Sequence, residues 1–82
     1  MSKKINKKII NLSGLRCPEP ILQVRRTIRS MKKNDTLIVI ADDPAIICDI
    51  ENFCYFMQHY LLESYIDSKP YKFFIRVGQS FK

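Results

Sequence analysis

The chain has 82 residues and a formal net charge of +6, and 46% of its residues are hydrophobic. These values predict one small globular domain over residues 1–82 and argue against a disordered chain or a deep, enclosed active site. No apolar run reaches the roughly eighteen residues that a membrane-spanning helix needs, and the basic N-terminus lacks a signal-peptide pattern, so we expect a cytoplasmic protein without membrane association.

The first half of the chain predicts a strand, a helix and a second strand. Residues 1–7 are polar and basic and are interpreted as a loose arm, after which "KIINLSG" (Lys8–Gly14) predicts a strand. A helix is predicted from Pro18 to about Lys32, because apolar residues recur there at spacings of three and four. They are Ile21, Val24, Ile28 and Met31. The β-branched run "TLIVIA" (Thr36–Ala41) is typical of a buried central strand.

The second half predicts a longer helix and a hairpin. Asp43 and Pro44 suit the cap and the first position of a helix that runs to about Leu62. An apolar stripe marks one side of it: Ile46, Ile50, Phe53, Met57, Tyr60 and Leu61. "ESYIDS" and "YKFFIRV", joined through Ser68-Lys69-Pro70, then predict two paired strands.

The element order is therefore β-α-β-α-β-β, which predicts an α+β fold. Each helix has one apolar face, so both fit on the same face of a four-stranded mixed sheet as a two-layer α/β sandwich. Strand–helix–strand connections of this kind are right-handed.

The three cysteines and the single histidine do not predict a metal site. Cys17, Cys48, Cys54 and His59 form no C-x-x-C or H-x₃-H pair, and an odd number of cysteines does not suit a disulfide scaffold. Cys48 and His59 share one side of the second predicted helix, but eleven residues place them roughly 16 Å apart along the axis. We therefore expect reduced thiols, no bound metal and no resident cofactor.

Two of the cysteines and the histidine have simple structural interpretations. Cys54 lies at the edge of the apolar stripe and is interpreted as a buried, small hydrophobic residue. Cys48 and His59 lie on the polar side of the same predicted helix. We expect an exposed thiol at the first and a solvated imidazole at the second.

Cys17 lies in "GLRCPEP", a turn-like stretch that precedes a predicted helix. If Pro18 begins the helix, Cys17 is its N-cap, where unpaired N–H groups and the helix dipole favour a thiolate and should lower the thiol pKa. Arg16 adds to this effect and Glu19 opposes it. The alternative is a neutral cap that replaces serine, and the residues alone leave both interpretations open. An exposed reactive cysteine without a base or pocket suits a carrier of sulfur better than a stand-alone enzyme.

The stretch "LSGLRCPEPILQVRRTIRSM" closely resembles the signature of the TusA (SirA-like) sulfur-carrier family, a Cys-Pro-x-Pro motif after Gly-Leu. The segments "LIVIADDPAIICDIENFCYFMQHYLLES" and "KPYKFFIRVG" are also similar to this family, so the resemblance extends over about residues 8–78. It implies the same two-layer sandwich and a persulfide-forming cysteine at Cys17. No catalytic role is carried over to Cys54, and Cys48 replaces a residue that is usually basic in the family.

The resemblance also implies partners. The donor is a pyridoxal-phosphate cysteine desulfurase, and the acceptor is a sulfur relay that leads to 2-thiouridine at the tRNA wobble position, so we expect no direct tRNA contact. Arg25, Arg26 and Arg29 either guide docking of acidic partner surfaces or form a solvated basic face. Two alternatives stay open: a carrier for another sulfur pathway, such as molybdenum cofactor biosynthesis, and a basic RNA- or protein-binding module in which Cys17 only caps a helix.

Overall fold

The computed structural model describes residues 6–78 of the chain, so most of the predicted arm, residues 1–5, lies outside the described residues. The arm prediction is wrong for Lys7, which begins the first strand. Asn6 is also held in place, because its N–H donates to Asp35 Oδ1 at 3.3 Å and its carbonyl accepts from Thr36 N–H at 2.9 Å. Asn6 and Lys7 are therefore part of the fold, although their polar composition predicts a loose arm.

Six elements follow one another in the predicted order. They are β1 (Lys7–Asn11), α1 (Glu19–Arg29), β2 (Thr36–Ala41), α2 (Ala45–Met57), β3 (Tyr60–Tyr65) and β4 (Tyr71–Arg76). The strands form one sheet in the order β1-β2-β4-β3. β1 and β2 are parallel, whereas β4 pairs antiparallel with both β2 and β3, so the sheet is mixed. The predicted two-layer α+β arrangement is confirmed.

The core lies between the sheet and the helices. Side chains alternate along β2 and β4, so that Leu37 and Val39 on one strand and Phe73 and Ile75 on the other are fully buried. The helices contribute apolar residues at helical spacing to the same layer: Val24 and Ile28 from α1, and Ile46 and Ile50 from α2. Burial of each such side chain contributes about 1.5–3 kcal/mol, which makes this layer the main source of stability.

Several elements end at residues other than those predicted. β1 ends at Asn11 rather than Gly14, and α1 ends at Arg29 rather than near Lys32. The largest error concerns α2, which ends at Met57 and not near Leu62. Gln58 ends the helix because it adopts a left-handed conformation with φ 63°, and its backbone N–H bonds to the Cys54 carbonyl. Residues 60–62, predicted as the end of the helix, instead begin β3, whose remaining residues 63–65 were correctly predicted as strand.

The topology places several connections at the same edge of the sheet. Since β1 and β2 are parallel, their carboxyl ends point to one edge, and both helices begin there. The connection between β3 and β4 lies at that edge too, because Tyr71 at the start of β4 pairs with Ala41 at the end of β2. Among residues 6–78, neither helix is long and apolar enough to cross a membrane.

Candidate functional site

Cys17 is exposed in the connection between β1 and α1, at the edge of the sheet where both helices begin. We call residues 14–18 the Cys17 loop. Gly14 opens it with φ 91°, a conformation that glycine adopts without the strain other residues incur. Leu15 N–H then bonds to the Leu12 carbonyl at 3.2 Å, and the Cys17–Pro18 peptide bond is cis. The loop thus presents its thiol at an open rim.

The structure corrects the predicted role of Cys17 as the helix cap. The capping position is taken by Pro18, with φ −97° and ψ 11°, and no side chain of residues 6–78 caps the helix. A turn closed by Glu19 N–H and the Arg16 carbonyl, 2.8 Å apart, precedes the first helical residue, so the helix begins one residue later than predicted. Pro20 rather than Pro18 lies within the first helical turn. The enhanced reactivity expected of Cys17 stays a prediction, without a capping contact behind it.

Two carboxylates at the β2–α2 junction fasten the Cys17 loop. Cys17 N–H donates to Asp43 Oδ2 at 2.7 Å, and Gly14 N–H donates to Asp42 Oδ1 at 3.1 Å. The Arg16 guanidinium lies 3.9 Å from Asp42 Oδ1, an exposed ion pair that contributes little stability. The loop conformation is therefore set by residues that are far away in sequence.

Asp43 also serves the helix that it was predicted to cap. Its second oxygen, Oδ1, accepts from Ala45 N–H at 3.2 Å, and its carbonyl accepts from Ile46 N–H at 3.0 Å. Pro44 occupies the position directly before the helix, so Asp43 lies one residue earlier than a strict cap. The bonds from the backbone N–H groups of Cys17 and Ala45 lower the pKa of Asp43 below its usual 3.8. The carboxylate therefore stays ionised at neutral pH.

Sequence reasoning missed the connection between Asp43 and Cys17. From the sequence, Asp43 is interpreted only as the cap of the second helix. A signal was available, however, because parallel strands that are joined through a helix have their carboxyl ends at one edge. The connections that follow β1 and β2 therefore lie close together. A carboxylate in one connection can then accept a hydrogen bond from an N–H group in the other.

The tip of the β3–β4 hairpin adds a cation to this edge. Lys69 lies close enough to Asp43 to help lower the pKa of its carboxyl group, after the larger effects of the two backbone N–H groups and the smaller effect of Arg16. A shallow, open cleft of about 600 Å³ lies beside the hairpin, and its lining includes Tyr65, Lys69 and Lys72. Basic side chains thus lie on the hairpin side of the Cys17 loop as well as within it.

The other two cysteines lie where the sequence predicts them. Cys48 is exposed on the first turns of α2, and Cys54 is buried, with 4% of its surface exposed. Burial raises the pKa of the Cys54 thiol to about 11, so its nucleophilic thiolate form is scarce at neutral pH. In residues 6–78 no group of three or more His, Cys, Asp or Glu side chains is arranged to hold a metal ion.

His59 is buried, and the prediction of a solvated imidazole is wrong. It follows the end of α2 and precedes β3, and only 6% of its surface is exposed. Its Nδ1 accepts a hydrogen bond from Gly78 N–H at 3.0 Å, and the Phe53 ring lies 5.3 Å away between centroids. Desolvation by burial lowers the pKa of His59 below its usual 6.5. The residue is a structural part of the core edge and lies outside the Cys17 loop.

The outer surface of the helices combines positive charge with apolar groups. The side chains of Arg25, Arg26 and Arg29 are all exposed on α1. Arg25 and Arg29 border a cleft of about 110 Å³ that also contacts Phe53 and Met57 of α2. A docking role for these arginines stays a prediction.

Comparison with known protein families gives one match that spans most of the chain. The family described as sulfurtransferase TusA matches residues 8–77. The matched range contains the Cys17 loop, both helices and all of β2, β3 and β4. The resemblance stated from the sequence motifs is thereby confirmed at the level of the family.

Proposed function

Because this chain belongs to the sulfurtransferase TusA family, a family of sulfur carriers, we propose that Cys17 is its sulfur-carrying residue. The observation that supports the proposal most directly is the exposure of Cys17 on an open rim, in a loop that two carboxylates hold in place. Persulfide transfer takes place between two proteins and requires an accessible thiol with room around it. A buried thiol such as Cys54 does not meet that requirement.

The proposed donor is a cysteine desulfurase that carries a persulfide on its own cysteine. The Cys17 thiolate attacks the outer sulfur atom of that persulfide. A new sulfur–sulfur bond forms on Cys17, the donor's sulfur–sulfur bond breaks, and the donor cysteine leaves as a thiolate. The step needs no external oxidant or reductant, because sulfane sulfur moves from one thiol to another. The same exchange then passes the sulfur to the next carrier.

The proposed destination is 2-thiolation of the wobble uridine of tRNA. In this proposal the chain delivers sulfur to a downstream relay protein in the cytoplasm, where thiols stay reduced, and does not itself contact tRNA. A role in another sulfur pathway, such as molybdenum cofactor biosynthesis, uses the same chemistry at Cys17. The thiolation state of wobble uridines in a strain that lacks the protein distinguishes these two destinations.

The chemistry is tested by loading the purified full-length protein from a desulfurase and isotopically labelled cysteine. The wild-type protein is expected to gain one labelled sulfur atom on the Cys17 peptide, and a reductant should remove it. Cys17→Ser should abolish this labelling. Cys48→Ser is the matched control, because it removes an exposed thiol from the same end of the molecule, and it should still load on Cys17. Undiminished loading of the Cys17→Ser protein would overturn the proposal.

A further inference from the structure

The hydrogen bonds of Asp43 couple two segments that lie far apart in sequence. One carboxylate oxygen accepts the N–H of Cys17, which is 26 residues away, and the other accepts the N–H of Ala45 at the start of α2. The shorter of the two bonds, at 2.7 Å, is the one to Cys17. Such charge-assisted bonds are stronger than neutral ones. The backbone of the cysteine is therefore tied directly to the framework of the fold.

We propose that Asp43 is a positioning residue for sulfur transfer, which acts by fixing the backbone of Cys17 and hence the direction in which its thiol points. This inference rests on the proposed function of Cys17 as the sulfur carrier. The location of Sγ is set by the loop backbone and a single side-chain torsion. Because the thiol is exposed, few neighbouring side chains restrict it further. The bond to Asp43 is made by the same residue that bears the thiol.

Fixing the backbone matters because sulfur transfer depends on alignment. The attacking sulfur atom, the transferred sulfur and the leaving sulfur must approach a line, and the attacking atom comes from a loop at the surface. A misplacement of about 1 Å in such a reaction can cost about 100-fold in rate. We call the hydrogen bond from Cys17 N–H to Asp43 the tether. Without the tether, the Cys17 loop is free to sample orientations in which the thiol points away from the donor. Docking of the donor protein does not by itself correct that.

The chemistry of the carboxylate shows which substitution tests the proposal. Asp43 uses both of its oxygens as acceptors, one for Cys17 and one for Ala45. An asparagine has nearly the same shape but only one acceptor oxygen, and its NH₂ group is a donor. Because an asparagine side-chain oxygen readily accepts a hydrogen bond from the backbone N–H two residues on, Asp43→Asn is expected to keep the bond to Ala45 N–H. Its NH₂ group then faces the Cys17 N–H, and the tether is lost.

The experiment measures the steady-state rate of Cys17 loading by a desulfurase, with kcat and KM determined separately. For Asp43→Asn in the full-length protein, kcat is expected to fall between about 10-fold and 100-fold, while KM changes by less than about 2-fold. Asp67→Asn is the matched control, because it removes one carboxylate charge from the hairpin loop at the same edge of the sheet. Its loading kinetics should equal those of the wild type.

A second variant and a direct measurement keep the test decisive. Asp43→Ser retains a short capping oxygen but removes the group that reaches Cys17, so its kcat should fall as well. Amide hydrogen exchange should show the Cys17 N–H exchanging at least about 10-fold faster in both variants than in the wild type. This measurement needs no partner protein and reports the tether itself.

Each other outcome overturns the inference. An increase in KM with unchanged kcat would assign Asp43 to the docking of the donor. Equal loading by the variants and the wild type would show that the tether does not matter, and so would unchanged exchange at Cys17. If the wild-type protein does not load at all, the proposed function fails and this inference fails with it. That result is distinguishable, because the two kinetic outcomes require a wild-type protein that loads, and hydrogen exchange is measured without any loading.

Discussion

His59 is expected to make the stability of the protein depend on pH below about 6.5. It is the only histidine of the chain, and it is buried with its Nδ1 accepting a hydrogen bond from Gly78 N–H. That bond needs an unprotonated Nδ1, and burial lowers the pKa of the imidazole below 6.5. Carboxyl groups normally titrate near 4, below the pH range in which this histidine acts.

The sign and size of the effect follow from proton binding. As pH falls through 6.5, His59 of the unfolded chain binds a proton, whereas His59 of the native protein stays neutral until a lower pH. The unfolded state then holds more protons, so the free energy of unfolding decreases as pH falls. The contribution of His59 to the free energy of unfolding is complete above pH 6.5. It is lost as the pH falls towards the pKa of His59 in the native protein. One proton gives a slope of at most about 1.4 kcal/mol per pH unit.

Urea denaturation at several pH values between about 5 and 7.5 measures this slope. For a domain of this size, with a dependence of about 1 kcal/mol per molar urea, the midpoint should fall by up to about 1.4 M per pH unit. His59→Asn is the matched control, because its side-chain oxygen can accept the Gly78 N–H but does not titrate. The slope between about pH 5 and 6.5 should disappear in this variant. An equal slope in both proteins would refute the reasoning.

Two further predictions concern the core. Gly78→Ala should destabilise the protein by about 3 kcal/mol in thermal or urea denaturation. The reason is that the added Cβ would lie 1.9 Å from the Gln58 carbonyl oxygen and force the backbone to move. A change below about 0.5 kcal/mol would contradict this packing. Cys54 should react with a thiol reagent at least about 100-fold more slowly than Cys48 in the native protein, since burial raises its pKa to about 11, and equal rates would contradict its burial.

The order and class of the elements follow from the sequence alone. The helical spacing of Val24 and Ile28 predicts a helix, and the β-branched run of β2 predicts a strand. Both patterns are local properties of the chain. The sequence also predicts Cys17 as the reactive residue, because a cysteine in a turn between an arginine and a proline does not suit a core. The chain is assigned to its family by sequence motifs and not by the packing of its side chains.

The tertiary structure alone decides where the elements end and what holds the site. Helical periodicity continues past Met57, but Gln58 takes a left-handed conformation, and the chain turns so that His59 is buried against Gly78. This outcome depends on β4, which packs there from the other end of the sequence.

The same holds for the Cys17 loop. The short-range preferences of Pro18 suggested that Cys17 caps a helix, whereas the structure gives Cys17 a bond to Asp43 instead. Local preferences describe one segment at a time, but that bond exists only because parallel pairing of β1 and β2 brings two connections to one edge of the sheet. The sequence determined where the candidate cysteine, Cys17, lies in the chain. The fold decided that Asp43 holds its backbone.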